Sequence, residues 1–378
     1  YFLKCIFNNN DKNIILLCYH VSCFIIFVKN QLLMIVSEKI IILSSLQKKL
    51  TDYIENGTSE KLNHAISNSI QHNKWFTQDF IIKAIRSISY LLSAENLNKW
   101  KQSQGQIKSA NVNKIAVIMA GNIPLVGFHD FLCVYITGNM FIGKLSTQDK
   151  FLLPFIAQEI INIAPEEKKY FEFAETRLPE FDAIIATGSN NSARYFEHYF
   201  NRYPHIIRKS RSSIAVLTGN ESKEELNLLM DDIFLYFGLG CRNVSKIYVP
   251  RNYDFTPLIK AMDGYKDILW NHNKYMNNYE YYKTIFLLNQ IPFTDIGYSI
   301  LQENSAISSP ISVLHYEFYD DRTWLNEEIN KNREKIQCIV AKEFNLNDTV
   351  VSFGKSQKPE LWDYADGVNT IQFLNDMP

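Results

Sequence analysis

Among the cysteines of this 378-residue chain, Cys241 has the surroundings that suit a nucleophile. It stands in Gly238–Leu239–Gly240–Cys241–Arg242–Asn243, next to glycine, at the end of an apolar-faced helix and just before a strand, so its thiol is sterically open. Arg242 favours a thiolate there if its side chain folds toward the sulfur. Cys133 and Cys338 lie inside apolar runs, as structural cysteines do. Three further turns carry groups that such a nucleophile would use. Gly121–Asn122–Ile123–Pro124 follows an apolar strand, which holds the Asn122 amide rigidly where it can donate to a reacting oxygen. Gly143–Lys144–Leu145–Ser146–Thr147 places a lysine at a strand end, within reach of a nucleotide ribose or phosphate. Thr187–Gly188–Ser189 joins a strand to a helix whose free N–H groups suit a pyrophosphate, although the GxGxxG fingerprint is missing. Each turn by itself also has a plain alternative: an ordinary strand-to-helix turn, a solvated lysine, a structural cysteine.

The elements that must position these groups alternate. Residues 38–100 read as helices, with Phe80, Ala84, Ile88 and Leu91 on one apolar face. Lys114–Ala120, Asn139–Leu145, Phe181–Thr187, Ser212–Leu217 and Val244–Val249 are short, nearly continuous apolar runs, expected of strands covered on both faces. Helices are expected over Phe128–Ile136, around Gln158–Ile163, from Ser189 to Phe200, and over Leu226–Phe237, where Ser222 and Glu225 form a capping box. Residues 265–300 are rich in Tyr and Asn and read as less regular. Strand and helix in alternation predict α/β layers with parallel sheets.

Taken together and in this order, the turns resemble the aldehyde dehydrogenase superfamily, and within it the LuxC-type long-chain acyl-CoA reductases. Asn122-Ile123-Pro124 is similar to the superfamily's Asn-x-Pro turn. Lys144-Leu145-Ser146, 22 residues on, is similar to its strand-ending Lys-Pro-Ser. Gly188-Ser189 resembles its Gly-Ser nucleotide turn, and Cys241 its catalytic cysteine after a glycine. Ser352–Ser356 resembles the Phe-Gly-Gly-x-Lys segment, and Pro359–Leu374 the ending of bacterial LuxC-type reductases. The resemblance runs from about Ser37 to Leu374. It implies a Rossmann-like cofactor domain (34–211), an α/β catalytic domain (212–350) and a C-terminal segment (351–378) returning to the cofactor and oligomerisation region. It also implies reduction of a long-chain acyl-CoA thioester to a fatty aldehyde through an acyl-cysteine, as in the fatty-acid reductase step of bacterial bioluminescence. Cys241 and Asn122 would be catalytic, and Lys144, Ser146, Thr147, Gly188 and Ser189 would hold the cofactor.

The departures shape that expectation. Hydrolytic members carry a Glu base in a stretch matched here by Ile207–Arg211, which holds no carboxylate. Water is then poorly activated against an acyl-cysteine, which favours thioester reduction. Thr147 stands where NAD-preferring relatives hold a Glu, and a neutral residue does not repel a 2′-phosphate, so NADPH is the expected cofactor. The Glu that often contacts the nicotinamide ribose has Ala306 at its place. A reductase of another activated acyl group (acyl phosphate or acyl-protein) and a non-catalytic subunit of the same fold stay open.

Composition bounds the rest. Lys plus Arg is 39 against 40 Asp plus Glu, a net charge of −1, which gives no support for a nucleic-acid partner bound through phosphates. The chain has no CxxC pair and no zinc-like spacing, so neither a structural metal nor a disulfide framework is expected, and the body reads as reduced and cytoplasmic. The resemblance, not composition, implies the partners: acyl-CoA, an acyl-protein synthetase and a second copy of the chain. Residues 1–33, ahead of Met34, read as a leader; the run Ile14–Val28 is short for a membrane span of roughly 20 residues, so no stable membrane insertion is expected.

Overall fold

The computed structural model describes residues 36–57, 59–103, 112–342 and 350–377. The leader expectation for 1–33 lies outside the described residues. Among those described, no helix is long and apolar enough to cross a membrane.

The chain opens with helices α1 (residues 36–56), α2 (Glu60–His72), α3 (Gln78–Leu91) and α4 (Ala94–Ser103). Side chains cap two of them: Ser59 accepts from Leu62 N, and Thr77 accepts from Phe80 N. The apolar positions of α3 serve two cores. Ile81, Ile85 and Ile88 pack with the first sheet, while Phe80 and Ala84 pack with the second. The helix is therefore a shared beam between the two layers.

The first sheet is built from β1 (Lys114–Ile118), α5 (Phe128–Ile136), β2 (Met140–Lys144), α6 (Leu152–Ile163), β3 (Phe171–Phe173), β4 (Ala183–Thr187), α7 (Asn190–Phe200) and β5 (His205–Arg208). Its order is β3-β2-β1-β4-β5, and every pairing is parallel. Because β2, β1 and β4 are neighbours, the turns after them lie side by side at one sheet edge. That edge, outside the carboxyl ends of the strands, is where open α/β sheets bind ligands. The edge strands β3 and β5 are only 3 and 4 residues long and carry too little pattern to be anticipated.

Lys209–Arg211 lead into the second sheet: β6 (Ser212–Val216), α8 (Lys223–Phe234), β7 (Val244–Pro250), α9 (Thr256–Met262), α10 (Lys266–Trp270), α11 (Asn273–Leu288), β8 (Thr294–Asp295), β9 (Ile300–Glu303), β10 (Val313–Tyr319), α12 (Arg322–Lys331), β11 (Ile336–Val340) and β12 (Val350–Val351). The order is β12-β11-β6-β7-β10-β9-β8, parallel except for the β8–β9 pair. The capping box forms as expected, with Ser222 and Glu225 each satisfying the other's backbone N–H.

Two expectations are corrected. The helix read as reaching Phe237 stops at Phe234, because Tyr236 and Phe237 take left-handed backbone angles (φ 55° and 58°). The region read as less regular contains the 16-residue α11. Its sequence shows no clean apolar stripe. It is held instead by three buried aromatics, Tyr275, Tyr279 and Phe286, and by His272, which caps Tyr275 N.

After β12 the chain crosses back. Leu361, Ile371 and Leu374 join the first core, and α13 (Thr370–Asn375) packs against α5. Arg208, buried in β5, pairs with Asp130 and donates to Thr370 Oγ1 at 3.0 Å. A buried ion pair of this kind is costly to break on one side only.

Candidate active site

The two sheets face each other across a cleft of about 2110 Å³, larger than the roughly 300–1,000 Å³ of a single small-molecule pocket. Asn122, Ser146, Thr147, Gly188, Ser189 and Cys241 all line it. Residues up to 119 positions apart in the chain thus meet in one site.

On the first wall the turns are set by close approach. A Cβ on Gly121 would stand 2.6 Å from Ser146 Oγ, so the β1 and β2 turns touch only because that position is glycine. A Cβ on Gly188 would stand 2.8 Å from Ser192 Cβ, which lets the β4 turn lie against the first turn of α7. Ser189 caps α7 by accepting from Ser192 N at 3.1 Å. The remaining N–H groups of that helix start open toward the cleft, a setting that favours an anionic group. Lys144 is held elsewhere: its ammonium donates to the carbonyls of Glu175 (2.5 Å) and Thr176 (2.8 Å).

Sequence reasoning missed Asp149. It is buried and accepts from Leu125 N at 2.8 Å, holding the left-handed Leu125 (φ 60°) that ends the Asn122 turn. Burial raises its carboxyl to about 6.

On the second wall Cys241 is exposed to the cleft, while Cys133 and Cys338 are buried. Its loop is held by side chains from several elements. Ser213 Oγ donates to the Cys241 carbonyl at 3.1 Å. Asn243 Oδ1 accepts from Gly240 N at 2.8 Å, and its Nδ2 donates to the α8-end carbonyls of Ile233 and Leu235. Asn122 Nδ2 crosses the cleft to the Leu239 carbonyl at 2.7 Å, which leaves its second amide proton available.

Upstream, the left-handed Tyr236–Phe237 pair costs on the order of 1 kcal/mol or more per residue. It is maintained because Phe237 is boxed by Trp75, Phe80, His272 and Tyr275, with ring centroids 4.0–6.0 Å away. Asp232, fully buried, accepts from Gly354 N (2.6 Å) and Ser356 N (2.9 Å), and Arg242 Nε donates to the Ser356 carbonyl at 2.5 Å. Burial raises Asp232 to about 6.

Neighbouring protein atoms crowd the Cys241 thiol although the residue is exposed to the cleft. That desolvation pushes its pKa up; Arg242 pulls the other way without overcoming it. The resting group is the thiol. Arg242 does favour the thiolate, as its place beside the sulfur suggested, but burial outweighs it.

The stretch Ile207–Arg211 brings no carboxylate to the cleft, and the carboxylates that do line it are engaged. Asp130 pairs with Arg208, Asp366 with Arg211 at 3.1 Å, Glu317 with Lys246 at 2.5 Å, and Glu360 accepts from Tyr90 at 3.1 Å.

The LuxC acyl-CoA reductase family matches residues 47–258, more than half of the chain. The chain belongs to the LuxC family. Within that family it is 24% identical over 198 residues to long-chain acyl-protein thioester reductase 2 of Photobacterium leiognathi, covering 47% of this chain and 41% of that protein. It is likewise 24% identical over 197 residues to the long-chain acyl-protein thioester reductase of Photorhabdus laumondii, covering 47% and 41%. The aligned part therefore spans well under half the length of these relatives. Among solved structures it is similar to indole-3-acetaldehyde dehydrogenase complexed with NAD+ (TM-score 0.59, 15% identity, 86% of this chain and 75% of that one). It is also similar to an aldehyde dehydrogenase from Physcomitrella patens (TM-score 0.60, 11% identity, 82% and 74%). These likenesses show an aldehyde-dehydrogenase-like fold.

Proposed function

We propose that this LuxC-family chain is an acyl-thioester reductase that forms a fatty aldehyde from long-chain acyl-CoA through an acyl-Cys241 intermediate, with NADPH as reductant. The observation that carries the reading is the exposed Cys241 on a clamped loop, in a cleft where Asp130, Asp366 and Glu317 are held in ion pairs. An acyl-cysteine formed there meets no carboxylate at the Ile207–Arg211 stretch to activate water, so it survives until it is reduced.

Cys241 attacks the thioester carbonyl, the C–S bond to the departing thiol breaks, and the thiol proton of Cys241 ends on that departing thiol. In this reading the second amide proton of Asn122 and the Cys241 backbone N–H receive the oxyanion; one such donor is worth about 3 kcal/mol. When bound, the reduced nicotinamide nucleotide would supply hydride to the acyl carbon; the C–S bond to Cys241 then breaks, aldehyde leaves, and the Cys241 thiolate regains a proton from water. The residues present suit that nucleotide. Ser189 and the start of α7 offer N–H donors, Gly188 keeps the turn close to α7, the Gly121–Ser146 contact forms a floor that a Cβ would fill, and Thr147 is neutral and exposed beside it. Lys144 would join them only by releasing the Glu175 and Thr176 carbonyls. Residues 34–211 serve as the cofactor part, 212–350 as the catalytic part, and 351–378 as the returning segment.

The relatives are named for acyl-protein thioesters. That favours a second reading in which the acyl donor is an acylated protein, delivered by an acyl-protein synthetase to a homo-oligomer in the cytoplasm.

The test is consumption of reduced nicotinamide by the purified protein with a panel of acyl-CoA lengths, an S-acylated protein and an acyl phosphate, using NADPH and NADH in turn. Aldehyde formation that disappears in Cys241→Ala is expected. Full activity in C241A, or acid as product, overturns the reading.

A further inference from the structure

Around Cys241 the structure holds two donors that are buried and have no acceptor. One is Arg242 Nη2 and the other is Gln357 Nε2. Buried donors in native proteins are nearly always paired, so an orphaned one asks for an explanation. Here there are two on the wall of one cleft, beside the exposed thiol.

Arg242 is held in place. Arg242 Nε donates to the Ser356 carbonyl at 2.5 Å, so the guanidinium is anchored by one nitrogen while another stays unused. Gln357 follows directly, and its Oε1 lies 3.7 Å from where a Cβ of Gly240 would stand, against the residue before Cys241. The 354–356 segment, whose Ser356 carbonyl anchors Arg242 and which Gln357 follows, is pinned by Asp232, which accepts from Gly354 N and Ser356 N. Preorganised donors beside a place where charge develops are what electrostatic stabilisation in an active site requires. The oxyanion has the second Asn122 proton and the Cys241 N–H. The other charge that develops is on the departing sulfur.

We infer that Arg242 and Gln357 form a donor pair for the leaving thiolate of the acyl donor, with Asp232 as the residue that positions them. This rests on the acyl-transfer reading above. As Cys241 S bonds to the acyl carbon and the C–S bond breaks, the electron pair goes to the departing sulfur. It is held by Arg242 Nη2 and Gln357 Nε2 until the proton lost by Cys241 reaches it. The charged and titratable groups facing Cys241 are Arg242 on its own loop, Cys338 on β11 and Asp366 in the C-terminal segment. Arg242 is the only cation among them.

A leaving-group comparison tests the pair. Acylation of Cys241 is followed by intact-protein mass without any nicotinamide, using dodecanoyl-CoA and the dodecanoyl thioester of 4-nitrothiophenol. The second donor leaves readily as a weakly basic thiolate and needs little help. Arg242→Gln is expected to slow acylation by the CoA ester about tenfold or more, and by the nitrothiophenyl ester much less. Arg242→Lys, which keeps the charge, is expected to recover part of the loss, and Gln357→Leu to show a smaller deficit of the same kind. A merely structural role slows both esters equally, and that result in R242Q and Q357L overturns the inference alone. Absence of acylation by either ester in the unaltered protein overturns it together with the acyl-transfer reading. If R242Q does not fold, R242K and Q357L carry the same comparison.

Discussion

On the first wall of the cleft, Asn122, Ser146 and Gly188 each stand within a few residues of the strand that positions them, and glycine contacts set their spacing. On the second wall, Cys241 is held from far away in the chain: by Ser213 across 28 positions, and through Arg242 by Ser356 across 114. Asp232 reaches across 124 positions to fix that same Ser356. A binding turn can be made locally, because it needs backbone N–H groups and a helix start. A nucleophile has to be aimed to within a fraction of an ångström, and only packing and long-range hydrogen bonds supply that rigidity.

If this contrast is right, damage to the second wall costs global stability together with thiol reactivity, and damage to the first costs ligand binding. The largest effect is expected for Phe237→Ala. It empties a box of four rings and removes what maintains two left-handed residues, so urea unfolding should report a loss of about 3–5 kcal/mol. The rate of Cys241 alkylation by iodoacetamide should change with it. A loss under about 1 kcal/mol with unaltered alkylation would break the comparison.

Asp232→Asn comes next, at about 2 kcal/mol, because an amide cannot accept as well from two backbone N–H groups. The pH dependence sharpens it. The Asp232 carboxyl is raised from 3.8 to about 6 in the folded chain, so its favourable contribution is fully present below 3.8 and is lost as pH rises through about 6. Urea midpoints should therefore show the unaltered protein gaining on D232N as pH falls from 6 toward 4. A constant difference across that range would remove Asp232 titration from the account.

Gly188→Val belongs to the first wall. Its side chain would displace Ser192 and crowd the start of α7, and the Kd for the dinucleotide should rise about tenfold, equivalent to about 1.4 kcal/mol. Fluorescence titration reads this, and a binding constant unchanged in G188V would detach the turn from the cofactor. The smallest effect is expected for Ser222→Ala, at the start of α8. Loss of its cap should lower stability by about 1 kcal/mol while Cys241 alkylation stays as it was.

The capping box, the five principal strands and the α5 helix are legible in the amino-acid order because each depends on residues within one or two turns of one another. Phe128–Ile136 is a helix over the range its pattern indicates. The order of Asn122, Ser146, Gly188 and Cys241 along the chain likewise carries the family resemblance. What the pattern could not contain is the company each residue keeps. Nothing near Lys144 announces that the carbonyls of Glu175 and Thr176 will take its ammonium, nor near Phe234 that α8 will end there under an aromatic box. α11 is helical through three aromatics buried on other elements, not through a stripe of its own.

The near balance of 39 cations and 40 anions set the terms for the cleft in the same way. It required local groups to bind any phosphate, and left open which ones. The amino-acid sequence by itself determined the strand–turn–helix units and singled out Cys241 as the candidate thiol, since these follow from neighbours in the chain. Tertiary structure decided that the thiol rests protonated, that Asp130, Glu317 and Asp366 of the cleft are ion-paired, and that Arg242 and Gln357 keep unpartnered donors on its wall. Desolvation and hydrogen-bond partners are properties of residues brought together by folding, and they do not exist until the two sheets close on one another.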